Sequence, residues 1–238
     1  MSVARVTDCR CVSEYRDAAE LDNSLGLSTA RPIDEHADET AVERYYRFHS
    51  IFYDATRWTF LFGRNEILRR VASACTPTRI LEVGCGTGRN LVELGSLFPE
   101  AHITAVDLSA AMLQRSRRKT AWLGDRIEFL HRRYDTCVNE RPSFDLVLFS
   151  YSLTMFNPGF ELAIESAWHD LKSGGHVAVV DFHDTQLPWI SRWMQFNHVR
   201  TDGQLRPHFQ KRFAALHDEV RVVYVGAWRY LMFLGEKV

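Results

Sequence analysis

Residues Ile80-Leu81-Glu82-Val83-Gly84-Cys85-Gly86-Thr87-Gly88 constrain this chain more than any other segment. A short apolar run with strand character enters a turn that has glycine at every second position. A helical stretch, Asn90 to Leu97, follows at once. Glycines permit positive φ and let a ligand lie against bare backbone. The helix beyond offers N–H groups that have no partner within the helix. The segment therefore predicts an α/β sheet with a ligand at the first strand's carboxyl end.

The rest of the second half keeps that rhythm. Short strands are expected at Ile103–Val106, Ile127–Leu130, Phe144–Phe149 and Val177–Val180, and helices at Ala110–Lys119 and Phe160–Leu171. Gly174-Gly175 reads as the break between that last helix and its strand. Apolar strands alternating with helices predict a parallel sheet covered on both faces. Val220–Tyr224 and Tyr230–Leu234 depart from this pattern, because a short Gly-Ala link leaves no room for a crossover helix. They should pair antiparallel.

Composition bounds the partners. The 238 residues are 46% hydrophobic and 25% charged, with a formal charge of −1, which gives no reason to expect a polyanion. Residues 1–40 carry four arginines and nine acids, about −5, and read as an acidic, flexible arm. Residues 41–77 form an aromatic and arginine-rich helical cap, and residues 78–238 the ligand-binding domain. Five cysteines, with no paired spacing beyond Cys9-x-Cys11, are expected to be reduced thiols, and no apolar run approaches a membrane span. The expectation is a cytoplasmic protein with a possible peripheral membrane contact, and its oligomeric state is left open.

The spacing Gly-x-Gly-x-Gly differs from the Gly-x-Gly-x-x-Gly of dinucleotide enzymes. An acid, Asp107, closes the next strand in Val106-Asp107-Leu108-Ser109, where it can accept from ribose hydroxyls. Leu81–Gly88 and Val106–Ser109 with Met112 resemble the first two motifs of the class I S-adenosylmethionine-dependent methyltransferases. The resemblance spans residues 78–185. It implies a Rossmann-like α/β fold, with a seven-stranded, mostly parallel sheet, an antiparallel C-terminal hairpin and an N-terminal helical extension.

It also implies S-adenosyl-L-methionine as cofactor and S-adenosyl-L-homocysteine as product. Gly84, Gly86 and Gly88 would pass under the methionine and ribose, with Glu82, Cys85 and Asn90 around them. Asp107 would hold the ribose, while Leu108 and Met112 would flank the adenine. The slot after the third strand, where the family often places an acid, holds Arg133 here, so Asp135 is the candidate adenine contact. Ser150 ends the fourth strand beside the cofactor.

The acceptor has fewer markers. The Asn/Asp-Pro-Pro-Tyr signature that holds a flipped base is missing, and no basic run carries stacking aromatics, which disfavours nucleic acid. Asp181, His183 and Asp184, placed after the fifth strand, read as solvated loop, and no metal is expected. Eight aromatics fall between Tyr45 and Phe62, where the chain average of 12% predicts about two. Aromatic faces can hold an ammonium group and arginines a carboxylate.

Ile51–Arg64, Phe149–Met155 and Val180–Asp184 are similar to stretches of the betaine-lipid N-methyltransferases. That likeness implies methylation of an amine such as a lipid homoserine headgroup. Tyr53 and Tyr151 would then orient the amine, Arg57 the substrate carboxylate, with Tyr46 and His183 lining the substrate. A substrate α-amine has a pKa near ~8, so desolvation alone could free its lone pair. Two alternatives stay open: methylation of a soluble small metabolite at nitrogen or oxygen, and a non-catalytic cofactor-binding partner subunit.

Overall fold

The computed structural model describes residues 61–156, 159–196 and 199–238. Among the described residues the first helix is α1 (Arg64–Ala74). Strand β1 (Arg79–Val83) and helix α2 (Arg89–Leu97) follow, then β2 (His102–Asp107), α3 (Ala110–Lys119) and β3 (Ile127–His131). The second half runs β4 (Phe144–Ser150), α4 (Phe160–Asp170), β5 (Leu171–Asp184), α5 (Pro188–Phe196), α6 (Leu205–Arg212), β6 (Ala214–Val223) and β7 (Trp228–Glu236). Seven strands form one sheet in the order β3-β2-β1-β4-β5-β7-β6. Strands β1 to β5 pair parallel, whereas β7 pairs antiparallel with both β5 and β6.

The pleat explains why these strands look uniformly apolar. Ile80 of β1, Leu146 and Leu148 of β4, Ala178 and Val180 of β5, and Met232 and Leu234 of β7 all face one core cluster. Their neighbours Leu81, Val147, Phe149, Val177, Val179, Leu231 and Phe233 face the other. Successive side chains point to opposite faces, so a strand covered on both sides must be apolar throughout. Helices α1, α2 and α5 contribute Ile67, Leu68, Leu91, Leu94, Ile190 and Met194 to the first cluster. Helices α4 and α6 contribute Ala163, Ile164, Leu205 and Phe209 to the second.

The C-terminal hairpin forms as the short link requires, with Val220 opposite Leu231 and Val223 opposite Trp228. One expectation is corrected. Gly174-Gly175 does not separate a helix from its strand, because β5 already starts at Leu171, opposite Phe144. The register then shifts, and the pair meets the end of the chain: Gly174 N–H donates to the Lys237 carbonyl, and Lys237 N–H to that of Gly175. Asp181, His183 and Asp184 likewise lie within β5, not after it.

Candidate active site

The glycine turn rests on two close approaches. Gly84 has φ +72, and a Cβ there would come within 2.5 Å of the Ser152 Cβ. Gly88 has φ +76, and its Cβ would meet the Ser116 hydroxyl at 2.3 Å. Both need the left-handed region and the missing side chain. Gly88 also caps α2 with no side-chain cap, which leaves that helix's first N–H groups turned toward the loop.

Asp107 fixes the turn from the neighbouring strand. Its carboxylate accepts the Gly86 N–H at 2.7 Å and the Ser109 N–H at 2.8 Å. The carboxylate is thereby held, half-buried, at the carboxyl edge beside the loop. Glu82 lies at the same edge and is almost completely buried. Asn90 Nδ2 donates to its Oε1 at 2.8 Å, and its Oε2 has no hydrogen-bond partner among the described residues. Burial pushes the Glu82 carboxyl up to about 8, against the Asn90 hydrogen bond and the charge of Arg64, which pull it down.

Strand β4 ends next to β1 in Ser150-Tyr151-Ser152. The hydroxyls of Ser150 and Ser152 are buried and also without partners among the described residues. Buried polar groups are ordinarily satisfied, so three such orphans in one neighbourhood mark a place where a ligand supplies the partners. Glu82 Oε2, the two serine hydroxyls and the bare glycine backbone fit a small polar molecule carrying donors and a positive charge.

Tyr151, a candidate for orienting an acceptor amine, follows β4 directly. Its φ is +55, and its hydroxyl donates to the Phe62 carbonyl at 2.7 Å. Its ring stands edge-on to Phe182, with the Arg64 guanidinium 5.4 Å from its centre. Burial raises the phenol's pKa well above the ordinary value. This hydroxyl ties the end of β4 to the segment entering α1.

Sequence reasoning missed Asp181. Its carboxylate is fully buried and accepts from four donors: Leu153 N–H at 2.8 Å, Thr154 N–H at 3.4 Å, the Thr154 hydroxyl at 2.6 Å and Phe182 N–H at 2.8 Å. Burial pushes the carboxyl to about 6 while those donors pull it down. It folds the 3₁₀ turn Leu153–Met155 back onto β5. The acid's place between apolar Val180 and Phe182 was the available signal.

Other predicted residues scatter. The Cys85 side chain joins the first core cluster, leaving only its backbone at the loop. Met112 is buried in the first turn of α3, whose cap is the Ser109 hydroxyl, and Leu108 is half-buried beside it. Asp135 is near the surface, 3.7 Å from Arg133. His183 stands two strands away on β5, packed by Gly203, with an unpartnered Nδ1 and a pKa lowered by burial. Asp184 is paired with Arg229. Tyr46, Tyr53 and Arg57 lie outside the described residues.

Residues 80–175 match a family model described as a methyltransferase domain. The matched stretch carries the glycine turn and runs from β1 to the start of β5. A demethylmenaquinone methyltransferase from Clavibacter sepedonicus is 29% identical over 145 residues, 59% of this chain and 57% of its own length. A malonyl-[acyl-carrier protein] O-methyltransferase from Legionella pneumophila is 50% identical over 62 residues, 26% of this chain and 20% of its own length. The chain thus spans little more than half of the one relative and a fifth of the other.

Among solved structures, the 1,6-didemethyltoxoflavin-N1-methyltransferase of Burkholderia thailandensis, with its substrate and S-adenosylhomocysteine bound, superposes with a TM-score of 0.64. The match is 17% identical and covers 89% of this chain and 93% of that one. It shares the methyltransferase domain's fold. These relatives carry quinone, acyl-carrier and heterocycle names, and none of them is a betaine-lipid enzyme. Among the described residues no helix is long and apolar enough to cross a membrane, and no cluster of three potential metal ligands occurs.

Proposed function

We propose that this protein transfers the methyl group of S-adenosylmethionine to a small-molecule acceptor bound at the carboxyl ends of β4 and β5. The observation that carries the reading is the neighbourhood of Glu82 Oε2 and the Ser150 and Ser152 hydroxyls, three buried polar atoms without hydrogen-bond partners among the described residues, beside a glycine turn pinned by Asp107. The cofactor, when bound, supplies a methyl group on a positively charged sulfur. The backbone at Gly84, Gly86 and Gly88 gives it a floor without side chains. Asp107 would accept ribose hydroxyls, and Glu82 Oε2 would accept from the α-ammonium group.

The chain then has to align the acceptor and keep water out, since a methyl shift needs no strong protein base when the acceptor is already nucleophilic. Asp181 and Tyr151 serve that end as positioning residues: one fixes the turn after β4, the other fixes the entry to α1. A small, soluble acceptor has more support than a lipid amine, because quinone, acyl-carrier and heterocycle methyltransferases are the relatives at hand. The betaine-lipid reading leans on Tyr46, Tyr53 and Arg57, outside the described residues.

Two measurements test this. Calorimetric titration should show S-adenosylmethionine binding that Asp107→Ala weakens roughly a hundredfold. Release of S-adenosylhomocysteine should then be followed with a reduced demethylquinone, a phenol, a heterocyclic amine and an amino-acid lipid headgroup as acceptors. Turnover with one of the first three supports the proposal. Turnover confined to the lipid headgroup would replace the soluble acceptor with the lipid amine, and binding without turnover on any acceptor would favour a partner subunit.

A further inference from the structure

Between α1 and the β6–β7 hairpin lies a cavity of about 540 Å³, a size ordinary for small-molecule sites. It stands at the far edge of the sheet from the glycine turn, with β4, β5 and β7 between β1 and β6. The cofactor and acceptor places described above use none of its residues. Helix α1 forms one wall. Its Ile67, Leu68 and Val71 turn into the core, which leaves Glu66, Arg69 and Arg70 along the cavity.

The opposite wall depends on a β-bulge. Neighbouring residues of a regular strand point to opposite faces, yet Leu216 and His217 both line the cavity. Ala215 pairs with Gly235 and His217 with Leu234, so Leu216 is an extra residue in β6. A bulge of this kind re-aims a side chain. Here it brings the exposed Leu216 to the side of the sheet that His217 and Leu234 occupy.

Charge selects the ligand. Glu66 is spent: its carboxylate accepts from Arg221 and Arg70, whose hydrogen bonds hold its pKa at about 2. Arg69 donates through Nε to the Asn65 carbonyl and pairs with no acid among the described residues. His217 Nε2 is buried without a hydrogen-bond partner among them. The Glu219 carboxylate, 3.3 Å from that nitrogen, lies outside hydrogen-bond geometry and is paired with Arg221. Burial, with the charge of Arg70, lowers the pKa of His217, so its ring is neutral at pH 7 and can donate one N–H. The acids are neutralised while a guanidinium and an imidazole are left over, which complements an anion and not a cation. We propose that this cavity binds a small organic anion with a compact apolar body. Arg69 and His217 donate to its charged oxygens, and Leu216 and Leu234 flank the body. It is a second site, independent of the methyl-transfer reading.

Magnetic resonance titration of the full chain tests it, with S-adenosylhomocysteine present throughout to occupy the cofactor site. Benzoate, phenyl phosphate and hexanoate serve as probes, and benzyl alcohol and benzylammonium as neutral and cationic controls. At least one anion should shift the Leu216 and His217 amides and bind roughly tenfold tighter than either control. Arg69→Gln should weaken that binding roughly tenfold while the thermal midpoint stays in place. Leu216→Asp, a charge added at an exposed position, should weaken it by a similar factor. The proposal is overturned if none of the three anions shifts those amides, or if benzyl alcohol binds as tightly as they do. Folded Arg69→Gln and Leu216→Asp variants that both bind like the wild type overturn it equally.

Discussion

The two halves of the site are built in different ways. Beside β1 and β2 the site is mostly backbone: three glycines, an uncapped helix start, and one carboxylate that pins the turn through N–H groups. Beside β4 and β5 it is made by side chains, with Asp181 gathering four donors and Tyr151 reaching across to Phe62. A backbone-made floor depends on glycine positions and suits a ligand that never changes. A side-chain scaffold can be reshaped residue by residue, which suits an acceptor that differs from one enzyme to the next.

That contrast can be broken by experiment. The largest effect is expected at Asp181. Asp181→Asn faces several donors with an amide that both donates and accepts, and should cost about 3 kcal/mol in a denaturant midpoint measurement. Asp107→Ala should do the reverse, leaving the core intact while cofactor affinity falls roughly a hundredfold, which corresponds to about 2.7 kcal/mol. If both changes unfold the protein alike, or both merely weaken binding, the distinction between the halves fails.

Tyr151→Phe sharpens the comparison. Removing the hydroxyl that holds the Phe62 carbonyl should lower stability by about 1 kcal/mol. It should raise the KM of the acceptor while cofactor affinity, read by calorimetry, stays put. The smallest change is one of slope. Glu82 titrates near 8 when folded and near 4.5 in an ordinary carboxyl. Between those values the folded state keeps a proton that the unfolded state has lost, so the unliganded protein loses stability as pH rises through that window. Glu82→Gln should flatten this slope in thermal melts taken from pH 5 to pH 8.

The same division governs what could be read from the amino acids. The glycine spacing and Asp107 are local signals, because a turn with positive φ admits few residues. The helix bounds of α3 follow from local apolar pattern and agree with the structure. Asp181 was legible only as one polar letter in an apolar run. Its partners Leu153 and Thr154 are about 28 residues away in the chain, and their meeting depends on the β4–β5 register. Tyr151 is harder still, since its bond to Phe62 spans 89 residues. Gly174-Gly175 misled because a glycine pair marks a break in either a helix or a strand, and only pairing with the chain's end tells which.

The place of β7 has a consequence for how the sheet is completed. It follows β6 in the chain, yet it lies between β5 and β6, and among the described residues β6 pairs with no other strand. A chain still emerging from the ribosome, short of Trp228, therefore carries β6 with nothing to pair with and β5 with an open edge. During that interval two strands offer unpaired N–H and C=O groups to any passing peptide. Strand β7 is thus the clasp between β5 and β6, and synthesis that stalls before it leaves a template for aggregation.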